Sequence, residues 1–319
     1  MRVLTGLQPS GDLHIGNFFG AIKPMIEAQD DNEMFIFIAN YHAMTSSQKG
    51  EILKQNSLKA AAAFLSLGIK PEKSIFWLQS DVKEVLELYW ILSQFSPMGL
   101  LERAHSYKDK VAKGLPSSHG LFSYPVLMAA DILLFDTQIV PVGKDQIQHV
   151  EIARDIAIKV NNEWGEIFTL PEARVNENVA VVPGTNGAKM SKSYQNTIDI
   201  FANEKLRKKQ ISSIVTDSTP LEEPKKWQEC NIFQISKLFL DEEGQEELKK
   251  RYERGGEGYG HFKMYLNELV NAYFKEATES YENYLKEPKK LEEILEFGAS
   301  KARKIARAKM QKIYEKIGL

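Results

Sequence analysis

A chain of 319 residues, 43% hydrophobic and 10% aromatic, is long enough for a sizeable core and about one further domain, since single domains usually run to about 100–200 residues. Lys and Arg number 41 against 43 Asp and Glu, a formal charge of -2, which excludes a global basic field and leaves any nucleic-acid surface to local patches. The single cysteine, Cys230, excludes an internal disulfide and a C-x-x-C zinc site, and the six histidines include no H-E-x-x-H pair, so no zinc is expected. The opening "MRVLTGLQPS" has no apolar stretch behind a charged start, and no apolar run approaches the roughly 20 residues of a spanning helix. No membrane association and a cytoplasmic location are expected.

In chain order, "RVLT" (2–5) reads as a buried strand and empties into "QPSGDLHIGNFFG" (8–20), whose end opens a helix. Pro24 predicts a kink or early end of that helix. "MFIFIA" (34–39) is a second strand, followed by a helix in "EILKQNSLKAAAAFLSLGI" (51–69) that Gly68 should close. "SIFWLQ" (74–79) is a third strand. "VLELYWILSQFSPMGLL" (85–101) is a helix apolar almost all round, to be covered on more than one side, by the core or by a second subunit. "TQIVPV" (137–142) and "VAVV" (179–182) complete the apolar runs. Such near-continuous runs alternating with helices predict an α/β fold with a doubly wound, Rossmann-like parallel sheet.

After the polar loop "PGTNGAKMSKSYQNT" (183–197), strand signals nearly vanish and helical patterns with Glu/Lys faces follow, broken at "TDSTPLEEP" (216–224) and "RGGEGYG" (254–260). Domains 1–186 and 187–319 are expected, the second α-helical. The last segment carries basic residues from Lys301 to Lys316 with one acid, Glu315, and sets Ala302, Ala306, Met310, Ile313 and Ile317 on one face. An ordinary amphipathic helix that packs back on the first domain and an RNA- or subunit-facing helix both fit.

A helix start after the first strand of an α/β sheet presents unpaired N–H groups and the positive end of a dipole to an anion. Gly11 and Gly16 would admit a phosphate or base close to the backbone, yet neither the P-loop nor the G-x-G-x-x-G spacing is present. His14 stands one residue before Gly16-Asn17, and downstream Lys189 and Lys192 sit three apart in "KMSKS" (189–193), a cationic clamp suited to polyphosphate. His14-Ile15-Gly16-Asn17 paired with Lys189-Met190-Ser191-Lys192-Ser193 resembles the signature pair of class I aminoacyl-tRNA synthetases. The form "LQPSGDLHIGN", with "YPVLMAADIL" (124–133), "VPVGKDQIQHVEIARDIA" (140–157) and "GYGHFK" (258–263), is similar to the tryptophan-specific members of that family, and the likeness covers almost the whole chain.

That resemblance implies a tryptophan–tRNA ligase activity. Tryptophan reacts with ATP to give tryptophanyl-adenylate and pyrophosphate, and the acyl group then moves to the 3′ end of tRNA(Trp). His14, Asn17, Lys189 and Lys192 would be catalytic. Gln8, Pro9, Ser10, Gly16, Asn17, Gly143, Lys144, Asp145, Val182 and the residues Lys189, Met190, Ser191, Lys192 and Ser193 would bind ATP, with Lys110 a further candidate. Asp131, Tyr124, Met128, Gln146 and His42 would bind tryptophan. Acceptor-only Asp131 suits the indole N–H, the ring's one donor. Mg²⁺ would bind mainly through the ATP phosphates, a homodimer is expected, and no editing domain is. The residues alone also admit a tyrosine-specific enzyme, because Asp131 would accept from a phenol, a synthetase-like RNA-binding protein without catalysis, and another adenylyltransferase. The resemblance around Met128 and Gln146 favours tryptophan.

Overall fold

The structure is a computed structural model that describes residues 1–9, 12–45, 49–104, 118–175 and 181–319. Strand β1 (Arg2–Leu7) leads to a short helical turn α1 (Ile15–Asn17), a π-helical turn (Phe18–Ile22) and α2 (Lys23–Glu27). Pro24, expected to kink or end this helix, sits at the start of α2 after an interruption of the regular α-helix. The widened turn before it, with Lys23 N–H bonded to the Phe18 carbonyl, absorbs the hydrogen bond that a proline cannot donate. Next come β2 (Glu33–Ile38), α3 (Asn40–Ala43) and α4 (Gly50–Ser66). Helix α4 ends as expected at Gly68, whose φ of 122° lets Gly68 N–H reach Leu65 and Ile69 N–H reach Phe64, a Schellman closure.

Strand β3 (Ser74–Leu78) follows, then α5 (Glu84–Ser93) and α6 (Met98–Glu102). The single apolar helix expected over 85–101 is thus two, because Pro97 and the residue before it cannot continue an α-helix. Helix α7 (His119–Leu134), β4 (Ile139–Pro141), α8 (Ile147–Trp164) and β5 (Glu172–Arg174) complete the α/β half. The fifth strand is not "VAVV": Val179 and Ala180 lie outside the described residues, and Val182 belongs to no strand, the bridge beside it pairing Pro183 with Lys189. Polar Glu172–Arg174 takes that place at the sheet edge, where one flank needs no apolar cover.

All pairings among β1–β5 are parallel, in the order β3-β2-β1-β4-β5. Side chains alternate between layers with period two. Met34, Ile36 and Ile38 of β2 join Ala61, Ala62 and Phe64 of α4, whereas Phe35 and Phe37 join Leu88, Val126 and Ile156 from α5, α7 and α8. This confirms the doubly wound reading, with the strand order reversing between β1 and β4.

Downstream lie α9 (Glu204–Ser212), α10 (Asn231–Ser236), α11 (Glu242–Arg254), α12 (Tyr259–Tyr273), α13 (Lys275–Lys286) and α14 (Pro288–Ile317). Their Ile232, Phe233, Tyr252, Phe262 and Leu266 belong to the same apolar cluster as Ile36 and Ile38, so the helical half and one face of the sheet share a core. Helix α14 returns to the α/β half and lies along β3, the other edge strand. Gly298 makes this approach: a Cβ there would sit 1.8 Å from the Phe76 carbonyl oxygen. Ala299, Ala302 and Ala306 beside it are fully buried. Arg303 donates to the Asp81 carbonyl at 3.1 Å, Arg307 pairs with Glu84 at 2.8 Å, and buried Lys309 bonds Asp136 and the Ile167 carbonyl. These three basic residues therefore dock the helix onto its own chain. No helix among the described residues is long and apolar enough to cross a membrane.

Candidate active site

The crevice beyond the carboxyl ends of β1 and β4 is the switch point of the sheet, where open α/β folds bind ligands. Gln8 and Pro9 follow β1, with Gln8 exposed and Pro9 buried; Ser10, Gly11 and Lys110 lie outside the described residues. Across the switch point, Gly143 precedes the exposed turn Lys144–Gln146. Its carbonyl accepts from Gln146 N–H at 2.9 Å, and the Gln146 amide donates to Asp145 at 3.0 Å. The ribose-facing candidates Gly143, Lys144 and Asp145 thus share one turn, to which Gln146 is bonded.

His14 caps α1. Its Nδ1 accepts from Asn17 N–H at 3.2 Å, while its own N–H donates to Asn17 Oδ1 at 3.2 Å. The turn is pinned to the segment after the polar loop: Ile15 N–H donates to the Ile198 carbonyl at 3.0 Å and Ile200 N–H to the Leu13 carbonyl at 2.9 Å. The two distant motifs are joined by Met190. Its side chain is buried, Gly16 N–H donates to its Sδ at 3.4 Å, and its N–H bonds the Val182 carbonyl at 2.9 Å. Lys189 and Lys192 flank this anchor on the exposed side. Buried Asn196 holds the loop's shape, accepting from Ser191 N–H at 2.8 Å and donating to Asn186 Oδ1 at 2.7 Å. The Ser191 hydroxyl in turn accepts from Ser193 N–H at 3.3 Å.

Electrostatics tie the pieces together. Burial, and then the nearby positive charge of Lys192, lower the His14 pKa to about 4 against the pull of Asp199. The ring is neutral at physiological pH, and with Nδ1 accepting, its proton resides on Nε2 as a donor. Burial likewise lowers the Lys192 pKa, opposed by Asp12 and Asp199.

Tyr124, Met128 and Asp131 lie on successive turns of α7, as their spacing predicts. Asp131 is buried, and its Oδ2 meets His42 Nε2 of α3 at 2.8 Å. The Tyr124 hydroxyl is 2.6 Å from His149 Nε2, and its ring stands edge-on to His42 at 6.2 Å between centroids. Two residues of this network were not foreseen. His149 sits among the apolar positions of α8 and carried no signal. Gln79 donates to both Asp131 oxygens at 2.9 Å; a polar residue ending an otherwise apolar strand was the available sign. Burial pushes the Asp131 carboxyl up, and the hydrogen bonds from His42 and Gln79 pull it down.

Ile15, Gly16 and Asn17 N–H are each taken up within the chain, so the unpaired N–H groups expected at this helix start are not found there. The capped His14–Asn17 turn, the paired lysine loop and a buried carboxylate beyond the carboxyl end of the sheet agree with the likeness of this chain to known proteins. A family model for tRNA synthetases class I (W and Y) matches residues 1–275. The chain is 83% identical over 319 residues to the tryptophan–tRNA ligase of Campylobacter jejuni (strain RM1221), covering 100% of both. It is 52% identical to that of Fusobacterium nucleatum, covering 100% of this chain and 98% of the other. A crystal structure of tryptophanyl-tRNA synthetase from Campylobacter jejuni complexed with ADP and tryptophan superposes with a TM-score of 0.99 at 83% identity over the whole of both chains. The chain is a class I aminoacyl-tRNA synthetase, a ligase. Within that class it belongs to the tryptophanyl-tRNA synthetase family.

Proposed function

We propose that this chain activates L-tryptophan with ATP and transfers it to the 3′ end of tRNA(Trp), with the residues above in the following roles. A tryptophan carboxylate oxygen attacks the α-phosphorus of ATP, the bond to the bridging oxygen of the β-phosphate breaks, and pyrophosphate leaves. A ribose hydroxyl of the tRNA then attacks the acyl carbon, loses its proton, and AMP leaves. The protein's share of such a reaction is alignment and stabilisation of developing charge. Neutral His14 donates from Nε2 and Asn17 from its amide, while Lys189 and Lys192 close on the phosphates. Gln8, Pro9, Ser10, Gly16, Met190, Ser191 and Ser193 line the nucleotide, Val182 its adenine, and Gly143, Lys144 and Asp145 its ribose. Asp131 accepts the indole N–H within a pocket that includes Tyr124, Met128, His42 and Gln146.

The observation that carries this reading is the Met190 seat, which presents Lys189 and Lys192 to the His14–Asn17 turn. Among the described residues no group of three or more His, Cys, Asp or Glu could hold a metal. Lys189 and Lys192 are placed for phosphate rather than for a cation, so Mg²⁺ would arrive on the triphosphate, held through phosphate oxygens and water; when bound, it would offset charge on the phosphates. Residues 187–319 would hold the anticodon end of tRNA. Trp90 and Met98, 68% and 63% exposed on α5 and α6, suit burial in a homodimer. A cytoplasmic location fits this substrate set.

Tryptophan-dependent ATP–pyrophosphate exchange, with tyrosine as the control, tests the assignment. Exchange with tryptophan and none with tyrosine is expected. Equal exchange with both, or with tyrosine alone, would overturn it.

A further inference from the structure

Gln79 is the first residue of the turn Gln79–Asp81 at the end of β3 and is 1% exposed. Its amide is fully committed. Nε2 lies 2.9 Å from each Asp131 oxygen, and Oε1 accepts from the backbone N–H of Tyr41 at 3.0 Å and of His42 at 3.4 Å. That orientation has no alternative, because a carboxylate requires a donor and backbone N–H groups an acceptor. A second clasp lies beside it. Asn40 donates to the Ser80 hydroxyl at 2.8 Å, and Ser80 N–H donates to Asn40 Oδ1 at 3.0 Å. The turns after β2 and β3 are thereby zipped together and to α7. Among the described residues Oδ2 of Asp131 carries two partners, His42 and Gln79, and Oδ1 only one.

We infer that Gln79 is a positioning residue for indole recognition: it clamps the Asp131 carboxylate and the His42 turn into one unit and leaves Oδ1 as the oxygen offered to the substrate ring N–H. This rests on the proposed role of Asp131. A carboxylate free to rotate about its last torsion would spread its acceptor directions, and a hydrogen bond to a charged group loses strength steeply once misaligned. The clamp also supplies two donor contacts that a buried carboxylate needs in order to remain charged.

The test compares tryptophan with its sulfur analogue β-(benzothiophen-3-yl)alanine, which keeps the ring and lacks the N–H, in ATP–pyrophosphate exchange. Gln79→Leu should raise KM for tryptophan about 10- to 100-fold, the scale of one charge-assisted hydrogen bond, and leave KM for the analogue within about twofold. A merely structural role would move both amino acids and KM for ATP together. Gln79→Glu conserves volume and the acceptor for Tyr41 and His42, so it reports if the leucine variant does not fold. When protonated, the introduced carboxyl can still donate to Asp131, whereas when ionised it repels it. Relative to wild type, whose profile includes His42 with Tyr124 and His149 behind it, KM for tryptophan in this variant should rise with pH. Parallel shifts for tryptophan and analogue in Gln79→Leu, or a Gln79→Glu profile that follows wild type, would overturn the inference alone. A wild-type enzyme that does not distinguish the analogue would instead remove Asp131 as the reader of the ring, and the inference with it.

Discussion

His14 accepts at Nδ1 and donates from Nε2 at once because it is not a cation, which would donate from both nitrogens. Its unfolded pKa of 6.5 falls to about 4 in the folded chain, so between those values the unfolded chain binds a proton that the folded chain refuses. Stability from this site is therefore fully present above about pH 6.5 and is lost as pH falls toward 4. Ring NMR should show His14 titrating near 4; a midpoint near 6.5 would mean a solvated ring and a different role. Lys192→Ala should leave tryptophan binding nearly intact and slow adenylate formation about 10²–10³-fold in single turnover, the scale of one preorganised transition-state donor. An unchanged rate would remove Lys192 from the mechanism. At this scale the sequence was legible where chemistry is local. The α7 face of Tyr124, Met128 and Asp131 follows from spacings within one element, whereas the mutual capping of His14 and Asn17 takes up N–H groups that were expected to be unpaired. Gln79 and His149 meet Asp131 and Tyr124 only through the register of other elements, which no local pattern encodes.

Elements were readable in proportion to how completely they are buried. Four strands announce themselves as apolar runs, whereas β5 is two charged residues about Ala173 at an edge. Of "VAVV" the described residues are Val181, which is exposed, and Val182, which is buried in one apolar cluster with Met190 without belonging to a strand. Helix α14 was legible as amphipathic but not in its partner, since an alanine face suits any close neighbour. Gly298 is the sharpest instance. Because a Cβ would meet the Phe76 carbonyl at 1.8 Å and its carbonyl carbon at 2.6 Å, Gly298→Ala should push α14 off β3. A loss of about 1–3 kcal/mol, typical of overpacking, is expected as a lowered urea midpoint. An unaltered midpoint would show that the helix shifts at no cost.

Across the whole molecule, a charge of -2 leaves recognition of tRNA, a polyanion, to local basic surface. Charging should weaken with salt by roughly 0.7–0.9 log unit in affinity per log unit of salt for each phosphate neutralised. Removing the helical half is a poor probe of that role, because it shares a core with the sheet through residues such as Ile232 and Phe262. Charge reversals at exposed lysines across residues 200–319, Lys205, Lys208 and Lys209 among them, are cleaner. Some should abolish charging while exchange persists. If every soluble reversal charges normally at physiological salt, the helical half does not read RNA. The docked position of α14 also bears on how the chain is made. The bond from Arg303 to Asp81 closes 222 residues, so on a ribosome adding about 5–20 residues per second the flank of β3 stays uncovered for roughly 10–45 s. During that interval the nascent sheet has an open template for strand addition by a neighbouring chain, and slow translation through residues 82–297 would lengthen the hazard without altering the finished protein.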